Sequence, residues 1–152
     1  MSAMDQPRIE LFLHSEVSDE MKEILEHQIQ MALPLCLASF GTEAPLLGDL
    51  DEVEISLVSD ESIAEVHGEF MDDPTPTDVI TFHHGEILVS VDTAEREAAT
   101  HGNSVAEELL LYMIHGLLHL NGHTDGIEPD RTLMHREQET ILRTVLKRPE
   151  WG

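Results

Sequence analysis

The stretch from Ser104 to Asp125 restricts this chain more than any other part of it. Ser104, with Glu107 three residues on, forms a capping box that starts a helix. The apolar run Leu109–Ile114, whose leucines belong to a core, carries that helix into His115-Gly116-Leu117-Leu118-His119-Leu120-Asn121-Gly122-His123-Thr124-Asp125. His115 and His119 are four apart, so their imidazoles project from one helix face, one turn from each other. That spacing lets two nitrogens grip one metal ion. Gly122 sits where the helix should stop, because glycine adopts the left-handed conformation that ends helices and turns the chain back. A residue just beyond can then supply a third ligand; the sequence offers Asp125, with His123 as its competitor.

Two histidines and an acid around one ion leave a tetrahedral site one open place, where a water loses protons near neutrality. The bland alternative is two polar positions on a helix edge, and the downstream glycine and acid count against it. Metal-assisted hydrolysis is therefore the expected reaction class. Zinc peptidases of the His-Glu-x2-His kind carry a glutamate general base beside the first histidine. This chain has Gly116 there, which disfavours a peptidase.

The remaining segments predict alternating strands and helices. Residues 8–14 read as a strand, Ser18 opens an amphipathic helix carrying Met21, Ile24, Leu25 and Ile29, and Pro34 should kink or end it. Phe40–Gly48 reads as a loop, Val53, Ile55 and Leu57 as a second strand, and Ser59 or Asp60 as the cap of a short helix reaching about Phe70. A proline turn over 72–76 precedes two paired strands, Val79–Phe82 and Ile87–Val91. Helices follow over Thr93–Thr100, from Ser104, and over Pro129–Leu146. The expectation is α+β, or loosely α/β: one domain over 1–152, with a small mixed sheet covered by helices.

Charge limits the partners. Against 31 acids the chain has 8 Lys and Arg, a formal charge of -23, with none between Lys22 and Arg96 and five from Arg131 to Arg148. A surface this acidic repels phosphates, so an extended nucleic-acid-binding face is not expected without help. Its bulk acidity is explained by solubility. Neither a membrane span nor a secretory leader is apparent, and the single Cys36 forms no internal disulfide, so a cytoplasmic protein is expected.

Two motifs together resemble the YbeY family of rRNA maturation factors over about Val53–Leu142. They are Pro76-Thr77-Asp78-Val79-Ile80-Thr81-Phe82, similar to P-T-D-V-[LI]-[ST]-F, and His115-Gly116-x-Leu118-His119-Leu120-x-Gly122, similar to H-G-x-L-H-L-x-G. The resemblance implies an α+β fold with a central mixed sheet, one Zn²⁺ in a cleft at the end of a long helix, and a metal-dependent, single-strand-specific endoribonuclease. Such an enzyme acts in ribosomal RNA maturation, at the 16S 3′ end, and in ribosome quality control. It places Asp125 at the third ligand position beside His115 and His119, where relatives usually have histidine, and His123 where they have tyrosine. A carboxylate there removes one positive charge and should make bound water less acidic. Where many relatives have Tyr-Arg-Gly, this chain has Phe70-Met71-Asp72, so a phosphate-binding cation is missing. Gly85-Glu86-Ile87 stands for the family's Gly-Asp-Ile.

By the same resemblance Thr77 and Asp78 lie near the cleft, and Asp78 is the candidate proton donor; from the residues alone they read as an Asx-type turn. His83 and His84 are expected at the surface, and His14, His27, His67, His101 and His135, without partner spacing, are structural or exposed. The basic C-terminal helix is the one segment that could touch RNA electrostatically. The expected partners are single-stranded rRNA in a ribosomal particle and a basic ribosomal protein, with no DNA and no membrane. Two other readings stay open: a non-catalytic assembly factor with a structural metal, and a small metallopeptidase.

Overall fold

The computed structural model describes residues 6–151, and their side chains as far as 147. Strand β1 (Arg8–Leu13) leads through α1 (Asp19–Leu37) to β2 (Glu52–Val58) and α2 (Asp60–Met71). A hairpin of β3 (Val79–Phe82) and β4 (Glu86–Ser90) follows, then α3 (Val91–Thr100), α4 (Val105–Leu120) and α5 (Asp130–Trp151). The strands lie in the order β1-β2-β4-β3, with β1, β2 and β4 parallel and β3 antiparallel to β4. This is the expected α+β arrangement of a small mixed sheet and covering helices.

Alternation along the strands sorts side chains to two faces. Val53, Ile55, Leu57, Ile87 and Val89 point into the main core with α1, α4 and α5, whereas Val58, Ile80 and Leu88 pack with Ile63 of α2 on the other face. Helix α4 lies in the middle of the larger layer, buried almost all round from Leu109 to Leu120. Despite that apolarity, among the described residues no helix is long and apolar enough to cross a membrane.

Serines set the helix starts. Ser18, Ser59, Ser90 and Ser104 each accept a hydrogen bond from the backbone three residues on, and Ser104 with Glu107 completes the capping box. Ser90 explains one difference from expectation: as the cap it ends β4 and starts α3 at Val91, not Thr93. Pro34 neither ends nor breaks α1, which continues to Leu37. The amide bond it forgoes would have gone to an exposed turn, where water replaces it. Helix α5 begins one residue after Pro129 and extends past Leu146.

Two buried polar clusters tie the helices together. Glu108 of α4, fully buried, accepts hydrogen bonds from His101 Nδ1 (2.7 Å) and Asn103 Nδ2 (2.9 Å) at the α3–α4 junction. Such partners are what a carboxylate needs to remain in a core. At the other junction Asp60, first residue of α2, accepts from Ser90 Oγ (2.6 Å), Thr93 Oγ1 (2.8 Å) and Arg96 Nη1 (2.6 Å), clamping α2 to α3. Partial burial pushes its pKa up, but the hydrogen bonds from Arg96, Ser90 and Thr93 outweigh that and hold it below the ordinary 3.8.

A carboxylate with a depressed folded-state pKa contributes stability that is complete above its unfolded value and is lost as pH falls through the folded one. Wild type should therefore keep its full stability advantage over Asp60→Asn down to about pH 5 and lose it progressively below about pH 4. Urea unfolding of both proteins across that range measures it; a constant difference would show that the clamp does not depend on the charge.

Candidate active site

Helix α4 ends against an unusually close neighbour. Gly122 has φ +97°, as expected of its position, and a side chain there would strike the carbonyl of Glu43. Gly41 likewise abuts the Gly122 carbonyl so closely that no Cβ fits. The loop after α1 pairs with the end of α4: Leu46 N donates to Leu120 O (2.8 Å) and Glu43 N to Gly122 O (3.0 Å). Asn121, buried between them, donates from Nδ2 to the carbonyls of Cys36 (3.0 Å) and Ser39 (2.8 Å). The last carbonyls of both helices are thereby satisfied, and the chain after Gly122 is aimed back along α4.

That reversal brings Asp125 beside His115, with 3.4 Å between Oδ2 and Nε2. His115, His119 and Asp125 line one cavity of about 340 Å³. Across it lies edge strand β3 with its approach, Thr77 to Thr81, and α5 contributes His135 and Gln138. Asp78, exposed, lines the same cavity; its Oδ1 accepts from Val79 N (2.8 Å). That bond comes from the very next residue and not from the one two further on, so it is not the link of an Asx turn, while the side chain borders the cleft.

The hydrogen bonds decide which nitrogens are available. His115 Nδ1 lies 2.8 Å from Gln138 Oε1 and His119 Nδ1 lies 2.8 Å from the carbonyl of His123. Both partners only accept, so each Nδ1 carries a proton, and in the neutral imidazole, the form that binds a metal, each Nε2 then holds the lone pair. This outer support is the arrangement that orients histidine ligands. Burial disfavours a charged His115, but the Asp125 and Gln138 hydrogen bonds and the nearby charges of Asp125 and Asp78 outweigh it and hold its pKa above 6.5. The His115 contact in turn holds the Asp125 carboxyl below 3.8.

His123 takes no part in lining the cavity. It is buried, with Nε2 3.0 Å from Ser39 Oγ, and Ser39 donates its only hydroxyl proton to Glu137 Oε1 (2.6 Å). His123 Nε2 is therefore the donor, its Nδ1 finds no partner, and burial holds its pKa below 6.5. The chain Glu137–Ser39–His123 holds in place the carbonyl that His119 uses.

Among the described residues no group of three or more His, Cys, Asp and Glu side chains forms a ready-made metal cage. Two imidazole lone pairs and one carboxylate on a single cavity wall are nonetheless a donor set suited to a divalent cation such as zinc. Gly116 faces the sheet, where an added Cβ would come within 2.8 Å of Ile87 Cδ1, so a glutamate base has no room at that position. Two cavity residues, Gln138 and His135, were not foreseen. Gln138 lies on the buried stripe Met134, Gln138, Ile141, Val145 of α5, and a glutamine in that apolar series was its one signal. His135, three residues before it, lines the cavity as well as being exposed. His83 is exposed, as expected, yet its ring lies 6.0 Å from that of His119.

Comparisons with known proteins bear on the family and the fold. The profile of a family described as Endoribonuclease YbeY matches residues 13–146, beyond the stretch of the two motifs. Endoribonuclease YbeY of Heliobacterium modesticaldum is 32% identical over 155 aligned residues, covering 87% of this chain and 90% of that protein. Endoribonuclease YbeY of Protochlamydia amoebophila is 38% identical over 111, covering 66% and 73%. The solution structure of TM1509 from Thermotoga maritima superposes with a TM-score of 0.63 at 28% identity, covering 94% of this chain and 91% of that one.

Replacing Gln138 by leucine keeps the volume but strands the His115 Nδ1 proton. Zinc affinity, read by competition with a chromogenic chelator, should fall about 10- to 100-fold while the far-ultraviolet spectrum is unchanged. Unaltered affinity would show that Gln138 does not orient His115.

Proposed function

The chain belongs to the YbeY family, and from that premise we propose that it is a zinc-dependent endoribonuclease that cuts single-stranded RNA during ribosomal RNA maturation. The observation that carries this reading is that His115 and His119, each with Nδ1 engaged, line one cleft together with Asp125 and Asp78. In this reading His115, His119 and Asp125 hold the ion. When bound, a divalent ion supplies Lewis acidity to a phosphodiester oxygen and makes a neighbouring water more acidic.

The protein's own groups do the rest. Gln138 and the His123 carbonyl keep both imidazoles in the tautomer that offers Nε2. Asp78, whose Oδ1 accepts from Val79 N, borders the cleft and is the candidate to pass a proton to the leaving oxygen. The cleft is bordered by edge strand β3, a setting that suits an extended single strand. Asp125 in place of a third neutral ligand lowers the positive charge of the site by one unit, and the acidic surface repels a free strand. RNA is accordingly best delivered already bound, on a ribosomal particle in the cytoplasm, with a basic ribosomal protein meeting this acidic surface. Processing of the 16S 3′ end and ribosome quality control are the roles that fit.

In cells carrying His119→Ala as the sole copy, 16S 3′ ends should remain unprocessed, and the purified variant should cut single-stranded RNA at least about 100-fold more slowly. Normal ends with folded variant protein would contradict a catalytic site. Metal analysis tests the ligand set separately: Asp125→Ala should lose zinc and His123→Ala retain most of it, and the opposite result would reverse the assignment.

A further inference from the structure

A strand that enters the cleft needs cations, and the position where many relatives carry arginine is here Met71. Most of the described cations are elsewhere or engaged. Arg8 lies 3.7 Å from Glu52 on the far edge strand, Arg96 is bound by Asp60, and Lys22 sits on α1. Helix α5 differs. Its exposed face forms a second recess lined by Glu128, Arg131, Thr132, His135, Arg136 and Glu139. His135 borders this recess and the cleft alike, so the two are adjacent, one side chain apart.

We propose that this recess is a phosphate subsite for the RNA strand leaving the cleft: the strand passes His135, and Arg131 and Arg136 bind backbone phosphates beyond the scissile one. The proposal rests on reading the cleft as an RNA-cleaving site. The two arginines are five residues apart, about 7.5 Å along the helix axis, so each can take its own phosphate. Arg136 makes no ion pair among the described residues. Arg131 lies 3.6 Å from Glu128, with both side chains half exposed, and so weak a pair yields to a phosphate. Glu128 is also turned aside: its other oxygen accepts from Thr132 N (2.9 Å) and Oγ1 (2.7 Å). Glu139 is the remaining carboxylate of the recess, so the recess is formally neutral on a strongly acidic protein. Guanidinium groups suit phosphate through paired N–H donors, and the contact reads backbone, not sequence.

The test uses fluorescence anisotropy of a labelled single-stranded RNA in the His119→Ala background, where the strand stays intact, over a series of salt concentrations. Adding Arg131→Ala and Arg136→Ala should weaken binding roughly tenfold and flatten the log–log salt dependence by about 1.4. Arg143→Ala, which removes a charge two turns further along and outside both recesses, should leave binding unchanged, and lysine at 131 and 136 should restore the salt dependence and part of the affinity. In steady-state cleavage with His119 present, the double alanine variant should raise KM and leave kcat nearly unchanged. Binding and salt slope unaffected by the double variant, an equal loss from Arg143→Ala, or no rescue by lysine would each overturn the subsite while leaving the cleft reading standing. If the protein with all its arginines neither binds free RNA nor processes RNA presented on ribosomal particles, the cleft reading falls and the subsite with it.

Discussion

The left-handed turn at Gly122 is the constraint on which the site depends. A helix carrying two histidines can present two nitrogens, but nothing on that helix can supply the carboxylate, because the next residues continue along the axis. The chain must reverse within a few residues, and it does so where the backbone of the α1–β2 loop is pressed against it. Gly41 and Gly122 have no room for a side chain because each meets the opposite backbone. Asn121 then caps the end of α1 with its amide. One interlock therefore ends two helices and places Asp125 beside His115.

The second layer comes from a helix far along the chain. Neighbouring residues of α5 reach both histidines: Gln138 directly to His115, and Glu137 through Ser39 and His123 to the carbonyl that receives His119. The end of α1, the turn after α4 and the middle of α5 thus share a single polar network. Each histidine has its tautomer set by a different element, so the pair keeps its orientation only while those elements stay packed.

Much of the fold was legible because its signals are local. Serine caps, the capping box at Ser104, the alternation of Val53, Ile55 and Leu57, and the proline turn before β3 each act over a few residues, and the elements appear where those residues put them. The main shifts have local causes too, Ser90 acting as a cap and Pro34 falling where its missing donor was exposed. The histidine pair and Gly122 were readable from spacing alone. Which of His123 and Asp125 faces the cleft was not, since that follows from Ser39 and Glu137 drawing His123 into the core. Gln138 and His135 were missed for the same reason: their roles arise when α5 crosses α4, and no short-range pattern records that crossing.

Cys36 is sealed at the end of α1, and burial pushes its thiol far above the usual range. A thiol that rarely ionises is a poor target for peroxide or disulfide exchange. The candidate ligands are nitrogen and oxygen donors, so no thiolate takes part in holding a cation. Oxidative stress consequently has little purchase on this machinery through cysteine. Of the residues that form the cleft, Met71 alone carries sulfur, and a sulfoxide there would set a polar oxygen at its rim.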